Sequence, residues 1–214
     1  MIITEKKEYQ EILENLEDES RFIIIGCGLC ATTVQTGGEK QVQELKDLLE
    51  KNKKKVLAAE VIEAVCDERQ VRLFLNKNKE TLKKTDAIIV LACGAGVQSF
   101  PHIDPEIKVH SGLNTLFLGT EKRLGNFNQF CSLCGDCILD LTNGVCTITR
   151  CPKSYTNGPC GGSKEGKCEA HPDNDCVWNI ISKNPLKKRL RSEITKRRNH
   201  NKQFHPRLNP IKKA

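Results

Sequence analysis

Arg21-Phe22-Ile23-Ile24-Ile25-Gly26-Cys27-Gly28-Leu29-Cys30 is the stretch that decides the fold class. Four apolar residues run without polar alternation into a glycine, and a strand apolar on both faces belongs inside a sheet covered on both sides. Upstream, Tyr9, Ile12, Leu13 and Leu16 recur at spacings of three and four, which predicts a short amphipathic helix within residues 5–20. Downstream the pattern predicts a helix over 32–51, a strand over 55–62, a helix over 69–84, a third strand over 86–93 and a fourth over 113–118. Strands alternating with helices at these lengths imply an α/β fold over residues 1–125: an open, mostly parallel sheet of the flavodoxin or Rossmann kind with right-handed crossovers.

After Gly125 the texture changes. Eight cysteines fall between Cys131 and Cys176 among many Gly, Pro, Asn and Ser, without sustained periodicity. Residues 126–182 therefore read as a loop-rich, cysteine-rich, ferredoxin-like metal-binding module, held by coordinate bonds more than by packed rings. Aromatic residues make up only 5% of the chain. The segment 183–214 holds twelve of the 34 Lys and Arg against one acid, Glu193, so the net charge of +7 comes from this basic tail.

The acidic N-terminal stretch lacks the cationic start, apolar run and small-residue cleavage site of a secretory signal, so a cytoplasmic location is expected. No apolar run approaches the roughly 20 residues a membrane-spanning helix needs, and no membrane association is expected. In a reducing compartment, closely spaced thiols read as metal ligands sooner than as disulfides.

The most specific signal is Cys131-x2-Cys134-x2-Cys137. Three thiolates at spacing three wrap a short loop around one iron–sulfur cube, and Cys151 before Pro152 resembles the end of the bacterial ferredoxin run. Cys131, Cys134, Cys137 and Cys151 are thus candidate [4Fe–4S] ligands, with zinc as the alternative, since zinc also accepts four thiolates at this spacing. Cys151 lies fourteen residues past Cys137, not four, and Cys146 stands between, so which later cysteine closes the site is open. Cys160, Cys168 and Cys176, with Cys146 or Cys151, suffice for a second four-thiolate site.

A further group belongs to the α/β region. Cys27 and Cys30 follow the first strand, Cys66 the second, and Cys93 ends the third, which places all four at the carboxyl edge of the sheet, where open α/β folds bind ligands. Buried thiols or a Cys27–Cys30 redox dithiol are the plainer readings. Gly26-x-Gly28-x-x-Ala31 also fits a loose dinucleotide fingerprint, but no acid stands about twenty residues on, and metal binding ranks above nucleotide binding. Gly94-Ala95-Gly96 and Gly158-Pro159-Cys160-Gly161-Gly162 read as turns. The five histidines show no paired metal or hydrolytic spacing, and no catalytic residue is assigned. For the tail, docking to an acidic partner or plain solvation ranks above nucleic-acid binding, because only Phe204 is interleaved with its basic residues.

Six stretches together resemble the small cysteine-rich subunit, or fused C-terminal region, of methylenetetrahydrofolate reductases. They are Gly26 to Ala31, Gln35 to Lys40, Ala92 to Gln98, Asn114 to Gly119, Cys131 to Cys137 and Asn157 to Gly162. The resemblance covers roughly residues 21–180; the tail departs from it. It implies that Cys27, Cys30, Cys66 and Cys93 ligate one site and the later eight cysteines the others. It also implies an accessory electron-transfer subunit in one-carbon metabolism of anaerobes. The implied partner is a flavin-binding TIM-barrel reductase carrying FMN, and the implied donor is ferredoxin or another subunit. A zinc-binding structural adaptor without redox role is the competing expectation.

Overall fold

The computed structural model describes residues 1–183, except Glu17, Leu124 and Asp136. The basic tail, save Lys183, lies outside the described residues. The chain divides into two compact units, one of residues Met1–Phe127 and one beginning at Asn128.

In the first unit, β1 (Ile2–Lys6) leads into α1 (Tyr9–Asn15), β2 (Arg21–Cys27), a single-turn α2 (Cys30–Thr33), α3 (Glu39–Lys51) and β3 (Lys55–Ile62). Then come α4 (Glu68–Lys77), the short α5 (Lys79–Leu82), β4 (Ala87–Leu91), α6 (Gly94–Ile103), β5 (Val109–Ser111) and β6 (Leu113–Arg123). The four strands β3-β2-β4-β5, in that order, form a parallel sheet. This is the α/β architecture expected from the opening stretch. β2 and β4 are central, and Phe22, Ile23, Ile24, Ile25, Ile88, Ile89 and Val90 are fully or almost fully buried. Each such side chain contributes about 1.5–3 kcal/mol of hydrophobic stabilisation, so the continuous apolar runs mark the strands with helices on both faces.

The sheet order places a switch point between β2 and β4. From β2 the chain crosses to β3 on one side, and from β3 it passes back over β2 to β4 on the other. Adjacent crossovers leave the edge in opposite directions there, which opens a crevice beyond the carboxyl ends of the two strands. At the amino ends, the Asp86 carboxylate accepts hydrogen bonds from the Ser20 and Arg21 amides at 3.0 and 2.8 Å and an ion pair from Arg21 at 2.6 Å. That lock aligns the starts of β2 and β4. The Arg21 guanidinium, helped by the Ser20 amide, holds the Asp86 carboxyl far below the usual carboxylate range.

Several boundaries differ from the sequence reading. The fourth parallel strand is β5, not residues 113–118. Gly112 still donates to Val90 O at 3.0 Å, after which the chain leaves the parallel sheet. β6 instead pairs antiparallel with β1, from Ile2 opposite Leu118 to Lys6 opposite Leu113, in a separate sheet of order β1-β6-β7, where β7 is Asn126–Cys131. Leu116 of β6 is half exposed, as suits a sheet with one wet face. Residues 2–6 are thus a strand, and the N-terminal helix is confined to Tyr9–Asn15. The expected helix over 32–51 is broken: Gln35 adopts φ 58° and ends α2, and α3 restarts where the Gln41 side chain accepts from the Gly38 amide at 3.1 Å. The helix over 69–84 is likewise two pieces, divided at Asn78. Gly94-Ala95-Gly96 is no isolated turn but the first turn of α6.

The second unit holds little regular structure among the described residues: β7 from Asn128 onward, α7 (Thr147–Arg150), α8 (Val177–Lys183) and loops. Its apolar cluster is small, comprising Val145, Cys151, Cys176, Val177, Trp178 and Ile181 with Leu141 and Ile180 against it. The Trp178 indole N–H donates to Tyr155 O at 3.1 Å, so this ring is a packing element. No helix among the described residues is long and apolar enough to cross a membrane.

Candidate metal centres

At the carboxyl edge of the parallel sheet, four thiols share one neighbourhood. Cys27 ends β2, Cys30 opens α2, Cys66 follows β3 just before the Asp67 cap of α4, and Cys93 caps α6. Burial pushes the Cys66 thiol up, and the charges of Cys93, Cys27 and Cys30 push it further. Like charges act this way only at short range. The switch point between β2 and β4 accounts for Cys27 and Cys93, and the β3 crossover brings in Cys66. A metal bound among the four would deprotonate the thiols that coordinate it outright.

Backbone details hold this edge in shape. The Thr32 hydroxyl donates to Cys27 O at 2.7 Å, the Cys27 amide donates to Gly37 O at 2.9 Å, and the Gly28 amide donates to Ile62 O at 2.8 Å. Gly26 lies so close to the 35–38 loop that a Cβ there would stand 2.5 Å from Gly37 O and 2.7 Å from a Val42 methyl. The two glycines let the loop behind the thiols pack directly on the strand. The loop is fastened to β1 by the buried Thr4 and Thr36 hydroxyls, 2.6 Å apart. Cys93 is the N-cap residue of the ten-residue α6. Sequence reading missed Thr115, whose hydroxyl accepts from the Gly94 amide at 2.8 Å and fastens β6 to the start of α6. Its signal was the Asn114 to Gly119 stretch, which had been assigned to another sheet. A dinucleotide is poorly served here, because the helix after Gly28 is a single turn and Glu60 is paired to Lys77 at 3.3 Å.

In the second unit, Cys131, Cys134, Cys137 and Cys146 line a mostly apolar hollow of about 350 Å³ with Phe130, Leu133, Ile138, Leu139 and Ile148. The loop is tightly wound: Leu133 and Gly135 take φ values of 57° and 76°. That winding turns the Leu133 amide onto Cys131 Sγ at 3.4 Å. N–H donors to sulfur stabilise thiolates that carry a metal and tune its potential. Cys146 Sγ lies 3.5 Å from the Thr149 hydroxyl. Cys151 is outside the lining and belongs to the apolar cluster with Cys176. Cys160 Sγ lies 3.5 Å from a Glu169 carboxylate oxygen that is also ion-paired to Lys153.

Among the described residues, no three His, Cys, Asp or Glu side chains meet closely enough to hold a single ion. Cys131, Cys134, Cys137 and Cys146 ring a hollow rather than converge on a point. A concavity of about 600 Å³ in the first unit lies at the opposite edge of the sheet, beside Asp86, Ile103 and Lys108. It contains no thiol, and Asp86 is already committed to Arg21.

Comparison with known proteins bears on the end of the first unit and on the second. A family model described as methylene-tetrahydrofolate reductase C terminal matches residues 110–205. Residues 110–205 are related to the C-terminal region of methylenetetrahydrofolate reductases. The match spans β6, β7 and all eight later cysteines, a little under half of the chain, and stops short of the four thiols at the parallel sheet. No curated protein and no solved structure matches the chain.

Proposed function

We propose that this chain is an iron–sulfur electron-transfer subunit that serves a methylenetetrahydrofolate reductase and passes electrons to a flavin on its partner. The observation that carries the reading is the hollow walled by Cys131, Cys134, Cys137 and Cys146. Its donors are all thiols, one of them already receives a backbone N–H, and the remaining wall is apolar. A single zinc draws four sulfurs to about 2.3 Å from one point, whereas thiolates around a multi-iron cluster stand apart on the wall of a cavity. A [4Fe–4S] cluster there would supply one-electron transfer at a potential set by burial and sulfur hydrogen bonds.

The chain's own residues have separate tasks. Cys131, Cys134 and Cys137 offer thiolates from one wound loop. Leu133 holds the Cys131 sulfur through its amide, while Phe130, Ile138 and Ile148 form apolar wall beside the sulfurs. At the sheet edge, Cys27, Cys30, Cys66 and Cys93 form a second thiol-only set that suits a cluster or zinc. No folate-binding carboxylate and no catalytic group is assigned, so the reduction of methylenetetrahydrofolate is placed on the flavin-bearing partner. The relation of residues 110–205 supports association with a reductase of that type, and ferredoxin or another subunit is the proposed donor.

The test is to mix the chain anaerobically with such a flavoprotein and a low-potential donor. Flavin reduction that depends on this chain, and is abolished by Cys134→Ser, supports the relay. Reduction at the same rate without the chain contradicts it.

A further inference from the structure

Three thiolates in one loop need a fourth, and two residues compete for the position. Cys146 and Cys151 lie at opposite ends of α7, one as its N-cap and the other as its C-cap. Five residues of helix separate two positions by about 7.5 Å along the axis, so the two sulfurs serve different places. The lining of the hollow contains Cys146 and not Cys151. Arg150, at the far end of α7 from Cys146, places its guanidinium 5.5 Å from the centre of the Phe130 ring, which is part of the wall, so α7 lies against the hollow while only the cysteine at its start lines it. Cys151 is buried instead with Cys176, Trp178 and Ile181.

The other cysteines follow Cys151. The Cys176 amide donates to Gly166 O at 2.8 Å, the Cys168 amide donates to Asn174 O at 3.0 Å, and Lys167 bridges Asp175 in an antiparallel pairing. Cys168 and Cys176, each following one of the bridged residues, are thereby held on neighbouring segments. Glu169, next to Cys168, reaches Cys160 Sγ. A chain of contacts thus links Cys151, Cys176, Cys168 and Cys160 without passing through the hollow.

We infer that Cys146 closes the site of Cys131, Cys134 and Cys137, and that Cys151, Cys160, Cys168 and Cys176 make up a second, separate four-thiolate set. The ferredoxin-like run is therefore completed by the cysteine before α7, and the cysteine that precedes proline belongs to the other set. This rests on the proposed function only in requiring that the thiols hold metal.

The partition is testable by metal content of the full chain, using Cys131→Ser, Cys146→Ser and Cys151→Ser singly and in pairs. Substitutions within one site remove the same metal, so C131S with C146S loses no more than either alone. C131S with C151S loses the metal of two sites. The opposite pattern, in which C131S with C151S loses no more than C131S alone, overturns the inference. Should a variant misfold, the wild-type chain gives the same information by alkylation during stepwise metal removal. Cys146 becoming reactive together with Cys131, Cys134 and Cys137 supports the partition, and Cys151 appearing in that group overturns it. If the metal proves to be zinc alone, the relay fails while this pattern still decides the partition. A chain that binds no metal ends both.

Discussion

The two units place their thiols by opposite means. In the first, a hydrophobic sheet is built independently of any metal, and its strand ends deliver Cys27, Cys66 and Cys93 to one edge, with Cys30 on the turn that follows. In the second, the apolar cluster among the described residues has six buried members, two of them cysteines. A core that small does not offset the chain entropy of the loops it must order. The first unit has a fold that carries a site, and the second has sites that must supply much of the fold.

Metal removal tests that contrast with the largest expected effect. Where metal binding is coupled to folding, it contributes on the order of 10 kcal/mol. Chelation under anaerobic, reducing conditions should therefore abolish amide protection around Val145, Cys151 and Val177 while β2 and β4 stay protected in hydrogen exchange. Equal loss in both units would break the comparison.

A core truncation gives the converse result. Phe22 is fully buried in β2, and Phe22→Ala should cost about 3–5 kcal/mol, read as an earlier denaturant midpoint for the first unit with the metal content of the site of Cys131, Cys134, Cys137 and Cys146 unchanged. A smaller effect is expected where backbones touch. Gly26→Ala places a methyl against Gly37 O and Val42 and should cost about 1–3 kcal/mol, displacing the 35–38 loop and loosening metal at Cys27 before any other site.

The smallest effect concerns acid. Asp86 has a folded pKa below its unfolded one, so its contribution to stability is fully present above the normal carboxylate range and disappears as pH falls through the depressed value. Asp86→Asn should cost about 1 kcal/mol at neutral pH. It should also flatten the acid limb of the stability curve of the first unit alone, as measured by denaturant titration at several pH values.

Much of this contrast was legible in the sequence, and for physical reasons. The run Phe22 to Ile25 announces a doubly covered strand because such a strand tolerates no polar face, and the strand-end cysteines follow from that assignment. The antiparallel sheet was not legible, since Ile2 and Leu118 pair across the length of the unit and β1 is too short to carry its own pattern. The helix α6 was hidden because Gly94, Gly96 and Pro101 are poor helix formers, tolerated where α6 packs on Val65 and Ala92. In the second unit, spacing selected Cys131, Cys134 and Cys137 at once. It could not choose between Cys146 and Cys151, because that depends on which end of α7 faces the hollow.

Metal and sulfide analysis of the anaerobically purified full chain tests the central claim most directly. The account predicts a brown protein with visible charge-transfer absorbance, iron and acid-labile sulfide in equal amounts, and an absorbance that bleaches on reduction. A colourless protein containing zinc and no sulfide would contradict it.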